Sequence, residues 1–103
     1  MRFLISARVP NQKTNALIQE GRFLQTFQSI MEGLQPEAAH FTAMDGARGA
    51  YFVMNMDEPS EMASKTETLL QGLGAEIQIQ FVWTPEDVQE AMPAFEQAAQ
   101  KYG

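Results

Sequence analysis

Apolar residues are concentrated in two segments in the middle of the chain, one on each side of a glycine-containing reversal. The two segments lie within Ala38–Met56, and Asp45–Gly49 separates them. β-Branched and aromatic residues flank the reversal, and glycine tolerates the positive φ that a tight turn needs. The pattern therefore predicts a β-hairpin, around which the rest of the chain is arranged.

Helical spacing and strand-like alternation surround this hairpin in a regular order. Apolar residues recur every three or four positions from Thr14 to Leu34 and again from Met62 to Leu73. Strand-like segments lie outside them, at Met1–Pro10 and Ala75–Trp83. The order β, α, β, β, α, β predicts a ferredoxin-like α+β fold, with two helices on one face of a four-stranded antiparallel sheet. With 45% hydrophobic residues, the whole chain, 1–103, is expected to form this one domain.

Glycine and proline mark the expected ends of the two helices. Gly21 weakens the first helix locally, but a stripe of about five turns predicts one helix that ends near Gly33 and Pro36. The segment Asp57–Ser60 offers a capping oxygen and an early proline to the second helix. That helix is expected to stop near Gly72 and Gly74.

An additional helix is predicted at the C-terminus. Thr84 and Pro85 form a strong helix start, with threonine as the N-cap and proline in the first turn. An apolar stripe then follows at helical spacing: Val88, Met92, Phe95, Ala99 and Tyr102. Pro93 is expected to kink or break this helix, because proline has no amide hydrogen to donate.

Strand alternation assigns the side chains of the sheet to two faces. The helix-covered face is expected to contain Phe3, Ile5, Phe41, Ala43, Ala50, Phe52, Met54, Ile77, Ile79 and Phe81. The opposite face, here called the open face, is expected to contain Leu4, Ser6, Arg8, His40, Thr42, Met44, Tyr51, Val53, Asn55, Gln78, Gln80 and Val82. This second set is too apolar to lie fully in water and too polar for a closed core. It predicts a homodimer that packs through its open faces, while the simpler alternative is a monomer with a partly apolar surface.

Charge and missing residue types narrow the possible functions. Acidic residues outnumber basic ones by 13 to 7, and the pI is near 4.6, so nucleic acid and anionic membranes are poor partners. The chain has no cysteine, and His40 is its one histidine, which excludes thiolate chemistry and multi-histidine metal sites. We therefore expect no cofactor. The apolar N-terminal segment is too short for a signal peptide, so we expect a cytoplasmic protein.

Few side chains on the open face could support chemistry. Histidine titrates near neutral pH, and alternation places His40 with Tyr51, so these two are candidate catalytic residues. The candidate ligand-binding residues are Arg8, Asn55, Gln80 and Trp83. Each candidate also has an ordinary structural explanation. His40 and Tyr51 can pack in the fold or at a subunit interface, and Arg8 can be a solvated or ion-paired residue at the end of its strand. Trp83 can likewise anchor the last helix.

The chain resembles the dimeric α+β barrel proteins over nearly its whole length, and three segments carry the resemblance. They are Arg48–Met54, the Asp57–Pro59 helix start and Ala75–Ile79. The pattern is most similar to short uncharacterised members of that superfamily, and more distantly to cofactor-independent monooxygenases and muconolactone-isomerase-like proteins. The resemblance implies a ligand cleft between helices and sheet or inside the barrel. Haem-degrading members use an asparagine on the first strand and a tryptophan and a histidine on or after the second helix. In this chain the first strand has Ser6 instead, and Ser60–Gly72 contains neither tryptophan nor histidine. These differences argue against haem degradation.

RNA-recognition domains share the same order of elements, and Arg48–Asn55 partly matches their third-strand signature. The match fails at the positions that stack on bases. Ala50 stands where the first aromatic is needed, Tyr51 replaces a small residue, and Asn55 replaces the last aromatic. Together with the acidic balance, this argues against RNA binding.

Two classes of function remain open from the sequence. One is a small enzyme without a cofactor, an oxygenase or isomerase acting on a small apolar or aromatic compound. The other is a non-catalytic dimer that binds a small molecule or another protein. The enzyme hypothesis requires His40 and Tyr51 to border one enclosed volume, and we expect His40 to line a cavity between the open faces of a dimer.

Overall fold

The computed structural model describes all of residues 1–103 and contains one sheet and four helices. In chain order, the elements are β1 (Arg2–Val9), α1 (Asn11–Gln19), α2 (Phe23–Leu34), β2 (Ala38–Met44), β3 (Ala47–Asn55), α3 (Pro59–Leu73), β4 (Glu76–Phe81) and α4 (Pro85–Tyr102). The strands lie in the order β2-β3-β1-β4, and every neighbouring pair is antiparallel. This confirms the predicted ferredoxin-like α+β fold. None of the four helices is long and apolar enough to cross a membrane.

The core lies between the sheet and helices α2 and α3. Phe3, Ile5 and Met54 contribute from the central strands, Leu34 from α2 and Leu69 from α3, and all five are almost fully buried. Each such side chain stabilises the fold by about 1.5–3 kcal/mol through the apolar area that it removes from water. The predicted helix-covered face is therefore correct for the central strands β1 and β3.

The edge strands are less well covered than the alternation predicts. Phe41 on β2 is 57% exposed and Phe81 on β4 is 62% exposed, although their rings contact Phe52 and Phe3 of the core. The helices cover chiefly the two central strands, so both edges of the helix-covered face stay bare. Strand β4 also ends at Phe81, two residues before the predicted Trp83.

The single long helix predicted over Thr14–Leu34 is in fact two helices that separate at Gly21. Gly21 has a φ of +70°, and its amide donates to the carbonyl of Ile18 at 3.1 Å. The next amide, of Arg22, donates to the carbonyl of Leu17 at 2.9 Å. These two bonds form the Schellman arrangement that ends a helix, so the glycine supplies a left-handed cap instead of an interior helical residue.

Helix α2 ends just before Pro36, as predicted, but Gly33 does not end it. The left-handed residue at its end is Gln35, with a φ of +47°. Gly33 lies inside the helix, where a Cβ atom would lie 3.4 Å from the side chain of Thr68 on α3. The small residue therefore permits close packing of α2 on α3.

The ends of α3 follow the sequence prediction in part. Pro59 opens the helix, and Gly74, with a φ of +59°, ends it. No side chain caps its first turn, so the capping oxygen expected from Asp57–Ser60 is not used.

The hairpin turn is tighter than the five-residue reversal predicted. Only Asp45 and Gly46 lie between the strands, with φ of +48° and +79°, as in a type I′ turn. Gly49 is a buried residue of β3, where a Cβ atom would lie 2.8 Å from the Cβ atom of Met44. Its role is to allow close contact across the hairpin, because its φ is not positive.

Helix α4 runs without interruption through Pro93, so the expected break does not occur. The predicted N-cap is confirmed: Thr84 Oγ1 accepts from the Asp87 amide at 3.1 Å, and Asp87 Oδ2 accepts from the Thr84 amide at 2.9 Å. No residue of α4 is buried. The chain measures 60 × 28 × 19 Å, and its radius of gyration of 17.5 Å exceeds the roughly 13 Å of a compact domain of this size. The helix therefore extends away from the sheet as an arm.

Candidate functional site

The strand register brings the two candidate catalytic residues side by side on the open face. His40 pairs with Tyr51 across β2 and β3, Tyr51 pairs with Ser6 of β1, and Ser6 pairs with Gln78 of β4. Directly opposed residues on one face of antiparallel strands have Cβ atoms about 4.5–5.5 Å apart. These four residues, here called the polar row, cross the full width of the sheet. No helix covers them, and Tyr51 is 40% exposed.

Arg8 lies one register step from the polar row, and its guanidinium already has three partners. Nε donates to the carbonyl of Met44 at 3.1 Å, Nη2 to the carbonyl of Asp45 at 3.0 Å, and Nη1 to Glu76 Oε2 at 3.2 Å. This geometry ties the hairpin turn to β1 and β4. The candidate ligand-binding arginine is therefore engaged in holding the turn.

An open polar recess of about 350 Å³ forms where Arg8 meets the polar row. Ser6, Tyr51 and Gln78 line it together with Arg8 and Glu76, whereas His40 lies outside it. Within one chain the recess has no roof. The structure thus places His40 and Tyr51 side by side on one surface. The recess partly encloses Tyr51 and does not include His40.

The other candidate ligand-binding residues lie farther along the strands. Gln80 pairs with Leu4 one register step from the polar row, and Asn55 pairs with Arg2 two steps away, about 13 Å along β3 from Tyr51. Trp83 follows β4 and is 78% exposed. It shares a wide surface recess with Asn55 at that end of the sheet. The predicted residues are therefore spread toward the two ends of the sheet instead of forming one site.

Leu4 and Val53 separate those two ends. They are paired across β1 and β3, and both are half-buried. The open face consequently has a short apolar belt, Leu4 and Val53, between two polar ends, with Gln80 beside Leu4 on β4. No cluster of three histidine, cysteine, aspartate or glutamate side chains is placed to hold a metal ion.

A second cavity lies between α2 and the helix-covered face near the β2 edge. The sequence pattern does not predict its lining residues. Its volume is about 80 Å³, and eleven of its fourteen lining residues are hydrophobic. Three rings, Phe23, Phe27 and Phe41, form a continuous wall, with centroids 6.0 Å and 5.4 Å apart for the successive pairs. We call this cavity the aromatic cleft.

The polar side chains of the aromatic cleft are already engaged. The hydroxyl of Thr14 donates to the Pro10 carbonyl at 3.3 Å, and Arg48 Nη1 donates to Asn15 Oδ1 at 2.9 Å. The cleft therefore offers an apolar guest contact area but no free acid or base. The spacing of Phe23 and Phe27, four residues apart, was a detectable signal, but the same spacing is typical of ordinary core residues.

Comparison with known proteins supports the fold. No protein-family model matches the chain, and no curated protein matches it in sequence. Among solved structures, it is similar to the 5-chloro-2-hydroxyhydroquinone dehydrochlorinase TftG from Burkholderia phenoliruptrix, in complex with 2,5-dihydroxybenzoquinone. The TM-score is 0.62 at 15% identity, over 84% of this chain and 97% of that one. The de novo designed protein Ferredog-Diesel is more distant, with a TM-score of 0.48 at 14% identity, over 79% and 85% of the two chains.

Proposed function

We propose that this chain acts as a homodimer whose open faces meet and enclose a small apolar or aromatic compound. Within that cavity, His40 and Tyr51 carry out a reaction that needs no cofactor, either an isomerisation or an oxygenation. The observation that carries the proposal is the cross-strand pairing of His40 with Tyr51 on a face that no helix covers. That TftG, a small enzyme, has this fold is compatible with the proposal.

The mixed composition of the open face supports a dimer with a cavity. Leu4 and Val53 gain by leaving water, whereas the side chains of His40, Tyr51 and Gln78 make no hydrogen bond within the chain. Burying such polar groups without partners costs about 1–3 kcal/mol each. A cavity that holds water or a ligand beside the polar row satisfies these groups, while the apolar belt packs against the second copy.

The chemistry available to the polar row is proton transfer. A neutral imidazole on His40 can accept a proton from a carbon or a phenol, and the phenol of Tyr51 can donate a hydrogen bond to the oxygen that gains charge. In an isomerisation, His40 returns the same proton to another atom of the substrate. In an oxygenation, the deprotonated phenol supplies the electrons to O₂ and forms a C–O bond to one oxygen atom. The O–O bond then breaks, the second oxygen atom leaves as water, and the product is a quinone.

The test uses 2,5-dihydroxybenzoquinone and a panel of small phenols as probes, with binding followed by calorimetry and turnover by absorbance. His40→Ala and Tyr51→Phe are each expected to weaken binding or turnover about tenfold, because each removes one hydrogen-bonding group. Thr42→Ala, on the same strand and face as His40, is the matched control and should change neither. If His40→Ala disrupts the dimer while ligand affinity in the surviving fraction is unchanged, His40 is structural and the site lies elsewhere.

The second candidate function is non-catalytic binding in the aromatic cleft. Its apolar lining and engaged polar groups favour an apolar guest that is held without reaction. Phe27→Ala distinguishes the two candidates. Loss of binding in Phe27→Ala with full binding in His40→Ala would assign the ligand to the cleft and contradict the open-face site.

A further inference from the structure

Helix α4 has an apolar face that nothing in its own chain covers. Val88, Met92, Phe95, Ala99 and Tyr102 are spaced four, three, four and three residues apart, which places them along one seam of the helix. Phe95, at the centre of the seam, is 51% exposed. An uncovered apolar seam of this length is typical of a helix that packs against a partner.

The continuity of α4 also points to a partner. A helix of 18 residues without tertiary contacts is marginal in water, and an interior proline costs about 3 kcal/mol more. Pro93 lies on the side of the helix opposite the seam, so its ring does not interrupt the apolar surface that the seam presents. Packing of the seam therefore provides the stability that the isolated helix lacks.

The aromatic cleft is complementary to this seam, both in its apolar surface and in its charge. Its exposed ring, Phe41, lies at the bare β2 edge, and Arg48 lines the cleft without a carboxylate partner. Helix α4 carries four acidic residues and one basic residue, and Glu96 is next to Phe95. The acidic amphipathic helix is thus complementary to an apolar cleft that has an arginine at its rim.

Within one copy, α4 leaves the sheet from the β4 edge, whereas the cleft lies at the β2 edge on the far side. When two sheets pack face to face about a two-fold axis parallel to their strands, the β4 edge of each lies against the β2 edge of the other. At about 1.5 Å per residue, α4 spans about 27 Å, enough to pass that edge and reach the helix side of the second copy.

We propose that α4 of one copy packs its apolar seam across the mouth of the aromatic cleft of a second copy, so that the two chains exchange arms. This inference rests on the proposed face-to-face dimer. In that dimer, each aromatic cleft is covered by the seam residues of α4 from the second copy. Phe95 is the central contact, and Glu96 pairs with Arg48 of the other chain.

The experiment places a nitroxide label on α4 and reads its effect on a second chain. The chain has no cysteine, so Gln97→Cys, on the solvent side of α4, gives a single labelling site. Spin-labelled chain is mixed in urea with ¹⁵N-labelled wild type and refolded, so that any broadening of amide signals arises between chains. Selective broadening at Phe23, Phe27 and Phe41 is expected.

Two variants that each add one negative charge to α4 form a matched test and control. Phe95→Glu should abolish the broadening and raise the dimer Kd about tenfold or more, whereas Ala94→Glu, which lies off the seam on the flank away from Glu96, should change neither. A dimer whose broadening is absent or confined to α4 or the open face would overturn the arm exchange and leave the proposed dimer standing. A monomer in sedimentation of the same mixture would overturn both proposals.

Discussion

At the scale of single residues, glycine performs two different tasks that the sequence pattern cannot separate. Gly21 has a positive φ and no neighbour within 4 Å of an added Cβ atom, so it is needed for its conformation alone. Gly33 has ordinary helical geometry and lies beside Thr68, so its small size, and not its conformation, bears on the packing of α2 on α3. Both occur inside the same stripe of apolar residues.

The two glycines should respond to alanine with opposite signs. Gly21→Ala is expected to lower the free energy of unfolding by about 1–2 kcal/mol, because an L-residue is strained in the left-handed region. Gly33→Ala should be neutral or stabilise by up to about 1 kcal/mol, since alanine is the better helix former and Thr68 is at normal contact distance. Urea denaturation measures both. Equal losses would contradict the left-handed role assigned to Gly21.

At the scale of elements, α4 depends on its cap more than a packed helix does. Its first turn contains the reciprocal hydrogen bonds between Thr84 and Asp87. The hydrogen bond from the Thr84 amide, followed by that from the Thr84 hydroxyl, lowers the pKa of Asp87 below its ordinary value. Because the folded pKa is below the unfolded one, the cap stabilises the helix above about pH 4 and is lost as the pH falls through the folded pKa.

This linkage gives an expected pH profile. Asp87→Asn should have lower helix content than the wild type at pH 7. The difference should shrink as the pH falls below about 4 and through the lowered pKa of Asp87, where the capping carboxylate becomes protonated. Circular dichroism from pH 7 to pH 2 on both proteins measures it. A difference that stays constant across this range would show that ionised Asp87 does not cap α4.

The elements also show how far sequence reasoning reaches. Strand alternation has a period of two and depends on local geometry, so it correctly placed His40, Tyr51 and Ser6 on one face. The cleft wall of Phe23 and Phe27 was not separated from the core, because helical spacing reports burial and not the gap behind a side chain. The division of Asn55 and Trp83 from His40 depends on strand register, which a single sequence does not specify.

At the scale of the whole molecule, the proposed dimer covers two surfaces that a single chain leaves exposed, the open face and the seam of α4. Val53→Arg, which places a charge in the apolar belt of the open face, should raise the dimer Kd about tenfold or more. Gln28→Arg adds the same charge on the exposed helix side and should leave the dimer intact. Circular dichroism of both variants establishes that each still folds.

Sedimentation equilibrium of the wild-type chain at micromolar concentration tests the central claim most directly. The proposed dimer predicts a single species of twice the chain mass of 11.5 kDa. The polar row would then lie between two sheets, as the proposed site requires. A species of 11.5 kDa throughout that concentration range would contradict the account, since His40 and Tyr51 would remain on an open surface with no enclosed volume.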